Sequence, residues 1–495
     1  MSRPTAPDIV GASCLSHDAA LAVVRDDEIV YAAHSERFSR QKMDRYLCDG
    51  LLDDVEAHVR IPFEIAYYEN QNLKRSRELF AGQYRRLLTT PGARSYLARF
   101  PLLRGRPVAS HGHHFSHACG GYFTSTFRDA SIVVIDGIGE WDTLTAWRAS
   151  DRTIERVLTV RYPHSIGLFY SGFTDRCGFR PNEEEYIMMG LAAFGDDRYV
   201  DHIFDDFIAD PRPDRLRFRR NLHRGIRDWR TDLTDIENIA ASCQSVTERL
   251  LREVFQWVRT ELPSKNLVYS GGVALNCVFN GMLAREGWFD NIWIMPEPGD
   301  AGSSLGAALA QRGEWVQWRG PYLGHDIGRG LNIDGALRSL VKGKVIGVAH
   351  GRAEFGPRAL GNRSLLSDPR GPGAKEKVNR IKKRELFRPF APIILEEHAP
   401  EYFEMPLQRV PYMQFVAKCR KPEAIPAVCH VDGTSRVQTL NAAQNASVHQ
   451  LLNAFYQQTR CPLLLNTSLN IKGEPLVNSA EDARRFSELH GIEIF

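Results

Sequence analysis

The sequence predicts an α/β protein of more than one domain, and three observations point there. Its 495 residues exceed what a single hydrophobic core usually serves. Short β-branched runs alternate along the chain with stretches of helical spacing. One plan, a strand, a polar turn and a returning hairpin, occurs twice, at residues 8–36 and again at 131–162. In the first copy Ile9–Ser13 leads into the turn Ser16-His17-Asp18, Ala19–Val24 runs back, and Asp26-Asp27 turns the chain into Ile29–Ala33. In the second, Ser131–Ile135 delivers Asp136-Gly137, Asp142–Arg148 returns, and Ile154–Tyr162 follows a turn at Asp151-Arg152.

Two copies of this plan mark a duplicated, ribonuclease-H-like domain of the sugar-kinase/Hsp70/actin type. Such a domain holds phosphates and metals at the turns between its halves. Between the copies, Phe63–Phe100 is rich in Arg, Leu and Tyr and is expected to be helical. Immediately before the second copy lies a cluster of imidazoles, HGHHFSHA, from His111 to Ala118. On a helix His113 and His117 share a face at i, i+4, and His114 and His117 share one at i, i+3, so spacing alone leaves the pair open. With Asp136 at a strand end as a hard oxygen ligand, such a set suits Fe(II), Mn(II) or Zn(II) with open positions.

Beyond the second copy, Gly167–Gly195 reads as mixed helix and loop, Arg212–Arg230 as an Arg-dense surface segment, and Ile236–Leu262 as an amphipathic helix. The strand Asn266–Tyr269 then opens onto Ser270-Gly271-Gly272 and the run to Asn276. A strand followed by a Gly-Gly turn at a helix start is an anion seat, which makes Gly271, Gly272 and Asn276 candidates for nucleotide phosphate. A similar unit, Asn291–Met295 followed by Gly299-Asp300-Ala301-Gly302, places Asp300 on a strand-to-helix turn as a further metal ligand or an ordinary N-cap. The glycine-rich stretch 317–332 is the candidate boundary, giving domains 1–325 and 326–495.

Arginines set beside glycine and proline characterise the C-terminal part. Arg358 lies in GRAEFGPRALGNRS, Arg388 in RPFAP and Arg436 in HVDGTSRVQ, and a buried strand leads into Asn466-Thr467-Ser468. Guanidinium forks answer phosphate oxygens, whereas the run Lys377–Arg384 reads as a solvated basic face. The formal charge of +3 offers no broad nucleic-acid surface. No apolar run is long enough to span a membrane, and MSRPTAPDIV has no signal-peptide core, so a cytoplasmic protein without membrane or nucleic-acid partners is expected. Nine cysteines without a CxxC pair argue against a disulfide framework.

Taken together, HHFSHA with VVIDG, SGGVALN, PGDAGSSLGAA, GRAEFGPRALGNRS, RPFAP, HVDGTSRVQ and LLNTSLN resemble the O-carbamoyltransferases of the nodulation-protein, tobramycin and cephalosporin type over essentially the whole chain. The resemblance implies an N-terminal domain similar to the subunit that makes threonylcarbamoyl-adenosine in tRNA, followed by a YrdC-like domain. It puts iron ligands at His113, His117, Asp136 and Asp300, a general base at His17 and a nucleotide-contacting lysine at Lys42. Carbamoyl phosphate and ATP, with its Mg, fall to Arg358, Arg388, Arg436, Asn466 and Ser468. It further implies carbamoyl-adenylate as intermediate, a small-molecule alcohol as acceptor and a possible homodimer. Ile187 stands where the family usually has lysine, and the chain is short between 200 and 265, both of which bear on the acceptor. The competing readings are a tRNA threonylcarbamoyl-transferase-like enzyme and a small-molecule kinase of the same superfamily.

Overall fold

The computed structural model describes residues 6–371 and 373–495. The chain forms two compact units: the first comprises 1–35, 43–275 and 287–318, and the second 36–42, 276–286 and 319–495. The expected boundary at 325 thus moves to 318/319, because the strand Tyr322–Asp326 already pairs with Arg352–Glu354 of the second unit.

The first unit contains two five-stranded sheets of identical topology. In one, β1 (Asp8–Ser13) is flanked by the antiparallel meander β2 (Ala20–Arg25) and β3 (Glu28–His34), and on its other side by parallel β4 (Phe63–Tyr67) and β5 (Val108–Ser110), in the order β3-β2-β1-β4-β5. In the other, β6 (Asp129–Gly139) has the meander β7 (Asp142–Ser150) and β8 (Thr153–Arg161) on one side, and parallel β9 (Asn266–Ser270) and β10 (Asn291–Trp293) on the other, in the order β8-β7-β6-β9-β10. The central strands are buried on both faces, which is why they read as continuous apolar runs such as SIVVI rather than alternating ones.

Two expectations fail here for local reasons. Phe63–Phe100 is not helical throughout, since FEIAY adds a strand beside β1 before α1 (Gln71–Phe80) begins at the side-chain cap of Asn70. Arg212–Arg230 is not merely surface: Phe218, Leu222, Ile226 and Trp229 are buried, with Trp229 edge-on to Phe173 and Phe207.

Two helices matter for the site. α2 (His113–Thr124) joins the two sheets in sequence, and α4 (Gly302–Arg312) packs directly against it; α3 (Ile236–Glu261) is the long amphipathic helix expected from spacing. The contact between α2 and α4 is backbone on backbone. A Cβ on Gly306 would lie 2.1 Å from the Ser116 carbonyl oxygen, so only glycine permits this approach.

The second unit is built on a five-stranded sheet. Its strands are β11 (Ile346–Ala349), β12 (Arg363–Ser367), β13 (Ala391–Leu395), β14 (Gln438–Leu440) and β15 (Leu463–Ser468), in the order β11-β12-β15-β13-β14. Its loops are tied down by two buried charges. Glu354 Oε1 accepts the N–H groups of Leu360 and Asn362 at 2.8 Å and of Arg363 at 3.2 Å. Arg363, with no exposed surface, donates to the carbonyls of Asn478, His350, Asn362, His325 and Gly351. Between these anchors the GPRALG loop has little freedom, which fixes where Arg358 stands. The basic run Lys377–Arg384 is helical only in its first part: α5 (Ala374–Ile381) ends before Lys383, which has a positive φ of 50°.

Candidate active site

The helical pitch of α2 carries His113 and His117 on one buried face. The β6 strand ends in a bulged turn that presents Asp136, and the loop before α4 presents Asp300. The donor atoms of these four residues lie within 4.8 Å of one another. His113 Nε2 is 3.0 Å from Asp136 Oδ2 and 3.4 Å from Asp300 Oδ1, while His117 Nε2 is 3.7 and 3.5 Å from the same oxygens. The two Nε2 atoms are 3.2 Å apart. Bonds of about 2.0–2.2 Å to a central ion set neighbouring ligand atoms roughly 3–3.5 Å apart, so these spacings are those of a two-nitrogen, two-oxygen cation cage. Asp300 Oδ1 is buried without a hydrogen-bond partner among the described residues, a second sign that the donors suit a cation.

The other possible histidine pair is excluded by geometry. His114 Nδ1 bonds Thr145 Oγ1 at 2.9 Å, away from the cluster, and burial pushes its pKa well down. His113 behaves oppositely: burial disfavours its charge, but the Asp300 and Asp136 carboxylates raise its pKa well above the usual imidazole range. Asp136 is held low by His113 and His117 against the opposing effect of burial.

His17 stands at the rim. Its Nε2 is 3.3 Å from Asp300 Oδ2 and its Nδ1 is 3.2 Å from Asp18 Oδ2, with the side chain 43% exposed. Burial lowers its pKa, yet Asp300 and then Asp18 raise it to about 10. It is thus beside the four-donor set, outside it, and open to solvent on one side.

The expected anion seat is differently employed. Gly272 N–H points at Asp136 Oδ1, 3.3 Å away, and Gly271 N–H donates to the Pro298 carbonyl, so both backbone amides brace the loops that carry Asp136 and Asp300. A 3₁₀ turn, Gly272–Leu275, follows rather than an α-helix, and Asn276, in the second unit, caps Cys277–Arg285 through Phe279 N–H at 3.1 Å. Glu297, which the motifs did not single out, shapes the Asp300 loop by accepting Gly299 N–H at 3.0 Å and approaching His34 at 3.5 Å. Ile187 is 1% exposed, so this position brings no charge to the unit.

The second unit gathers cations. Lys382, only 4% exposed, donates to Ser468 O at 2.5 Å, Ser468 Oγ at 3.1 Å, Asn470 O at 2.9 Å and Asn470 Oδ1 at 2.8 Å. Burial pushes its pKa well down, and Arg384, Arg388 and Lys42 push it further. Lys42 therefore belongs electrostatically with this cluster. Arg384 lies over the Phe390 ring at 4.2 Å, and Arg388 is 3.6 Å from Glu385. Asn466 Nδ2 donates to the Ala359 carbonyl at 3.1 Å, next to Arg358, and to Gln438 Oε1 at 2.8 Å, two residues beyond Arg436. Arg436 Nε and Asn466 Oδ1 are both buried without hydrogen-bond partners among the described residues. Lys382, Arg384 and Asn470 escaped the sequence reading because a basic run is ordinarily a solvated face; the signal lay in the turn that ends α5 and buries one lysine.

The sequence matches the family model Carbamoyltransferase N-terminus over residues 16–309 and Carbamoyltransferase C-terminus over 337–495. The chain belongs to the carbamoyltransferase family. It is 35% identical to nodulation protein NolNO of Sinorhizobium fredii, over 94% of this chain and 76% of that protein. It is 29% identical to the 3'-hydroxymethylcephem-O-carbamoyltransferase of Amycolatopsis lactamdurans, over 96% of this chain and 95% of that one. Among solved structures, full-length HypF in its phosphate- and nucleotide-bound form matches 63% of this chain and 56% of its own, at 12% identity and a TM-score of 0.36. This carbamoyltransferase has no helix, among the described residues, long and apolar enough to cross a membrane.

Proposed function

We propose that this carbamoyltransferase is an ATP-dependent O-carbamoyltransferase that makes carbamoyl-adenylate with its second, YrdC-like unit and spends it in the first. One observation carries the reading: the two units hold polar clusters of opposite character, one a set of two imidazoles and two carboxylates spaced to suit a cation and the other a group of cationic side chains around a buried lysine. Carbamoyl phosphate and the ATP triphosphate are both polyanions, and Arg358, Arg388, Arg436 and Lys42 are the residues that would neutralise them. A water molecule attacks the phosphorus of carbamoyl phosphate, the P–O bond to the carbamoyl oxygen breaks, and inorganic phosphate and carbamate result. The carbamate oxygen attacks the ATP α-phosphorus, and pyrophosphate leaves. Asn466 and Ser468 would fix the orientation, and enclosure protects the labile carbamate from water.

In the first unit His113, His117, Asp136 and Asp300 would hold Fe(II), or Mn(II) or Zn(II). A metal bound there supplies Lewis acidity toward a carbonyl oxygen. With the Asp300 carboxylate engaged by a bound cation, the charge that holds His17 protonated is offset, and the neutral imidazole accepts the proton of the acceptor hydroxyl through Nε2, with Asp18 fixing the ring by its other nitrogen. The hydroxyl oxygen then bonds the carbamoyl carbon and AMP departs. The acceptor is a small-molecule alcohol, in keeping with the cephem named for one relative. Incubation with carbamoyl phosphate, ATP, Mg(II) and Fe(II) should release pyrophosphate without any acceptor. Pyrophosphate release that needs no carbamoyl phosphate, or none at all from metal-loaded protein, would overturn the adenylate route.

A further inference from the structure

The metal-binding helix α2 begins without a side-chain cap of its own. Its N-cap is Gly112, which has no side chain to accept the exposed N–H groups of the first turn. His113 is the first residue of that turn, so an uncapped start would leave a metal ligand on the part of the helix most prone to fray. The missing acceptor comes from elsewhere. Glu140, at the tip of the β6–β7 hairpin, is buried, and its Oε1 accepts the His113 backbone N–H at 3.3 Å. The same oxygen accepts the Asn70 N–H, tying in the segment that leads to α1. The Arg77 guanidinium holds the Glu140 carbonyl at 3.0 Å. Glu140 itself has φ of 59°, the positive value that a two-residue hairpin turn between the paired Gly139 and Asp142 takes at its first position. The preceding residue completes the device: a Cβ on Gly139 would lie 2.2 Å from the His113 ring. The hairpin tip therefore touches His113 twice, on its ring and on its backbone.

We propose that Glu140 is a positioning residue for the metal centre, capping the first turn of α2 in trans and fixing the His113 imidazole for ligation. It touches no reacting atom. The inference rests on the metal reading above, but not on the adenylate route. Outer-shell partners of this kind are worth about 10–100-fold in metal affinity. The test is Co(II) titration of metal-free protein followed by visible absorption, with the unfolding midpoint of the metal-free form as control. Glu140→Ala should weaken Co(II) binding by about 10–100-fold and change the Co(II) band, with little change in the midpoint. Glu140→Gln keeps an acceptor oxygen at the same reach and should restore affinity to within a few-fold. Glu140→Asp is too short to serve both N–H groups and should bind weakly; with Glu140→Gln it decides the matter should the alanine variant not fold. Wild-type affinity in Glu140→Asp, or no rescue by Glu140→Gln, overturns the proposal. Failure of the wild type to bind Co(II) would instead sink the metal reading itself.

Discussion

The two units solve opposite electrostatic problems. In the first, His113, His117, Asp136 and Asp300 alternate in sign at spacings of 3.0–3.7 Å, so the cluster carries its own counter-charge before any ligand arrives. In the second, Lys382 sits among Arg384, Arg388 and Lys42, and its bonded partners are neutral oxygens of Ser468 and Asn470. The first cluster holds both signs and is buried; the second buries one lysine among partly exposed cations, with the Glu385 carboxylate 3.6 Å from Arg388. Burying unbalanced charge is costly, and a chain tolerates it where a ligand supplies the missing sign. That contrast is the reason to expect a cation in one unit and a polyanion in the other.

The contrast breaks most sharply by removing one of the four clustered donors. His117→Ala should take metal content from about one per chain to none, measured by elemental analysis, and should abolish carbamoyl transfer while leaving acceptor-independent pyrophosphate release intact. A metal-replete, active variant would refute the site. His17→Ala comes next. It should keep its metal and still form adenylate, with transfer slowed by about 10²–10⁴-fold, the usual worth of a general base. Near-normal transfer would reduce His17 to a turn residue stabilised by Asp18.

The second unit gives the converse test. A charge-assisted hydrogen bond to phosphate contributes about 1.5–3 kcal/mol, so Arg436→Ala should slow pyrophosphate release by roughly ten- to more than a hundredfold. Its metal content should not change. Supplied with synthetic carbamoyl-adenylate, it should carbamoylate its acceptor at the wild-type rate. Equal failure with the synthetic adenylate would mean that the two steps do not divide between the units.

How much of this could be read from the chain depended on whether a signal was local. The duplicated meander was legible because strand, turn and hairpin occupy contiguous stretches, as in Ile9–Ala33 and Ser131–Tyr162. Phe63–Tyr67 was missed because five residues are too few for a period, and its partner β1 lies far away in sequence. The choice between His113 and His114 was not in the spacing. Thr145, thirty-one residues on, turns His114 away. The Gly271-Gly272 turn was recognisable as a row of donors, but what it receives is the protein's own Pro298 carbonyl and Asp136 carboxylate. Lys382 was hidden for the same reason in reverse, since its burial depends on β15 and not on its neighbours in the run KVNRIKKR.

The finest test concerns pH. Burial, Arg384, Arg388 and Lys42 all depress the folded-state pKa of Lys382 well below its ordinary 10.5. Between that folded value and 10.5 the unfolded chain binds more protons than the folded one, so this lysine makes stability rise with pH across that window. Lys382→Met lacks the group. The difference in unfolding midpoint between wild type and variant should therefore move in favour of the wild type as pH is raised from about 7 toward 10, by a few degrees at about 2–4 °C per kcal/mol. Because the chain has two units, the transition to follow is the one that shifts when inorganic pyrophosphate is added. Pyrophosphate should also flatten the pH trend, since an anion beside Lys382 favours its charged form and draws its pKa back toward normal. A trend that is equally steep with and without pyrophosphate would show that these cations do not share an anion, and the second unit would lose its half of the comparison.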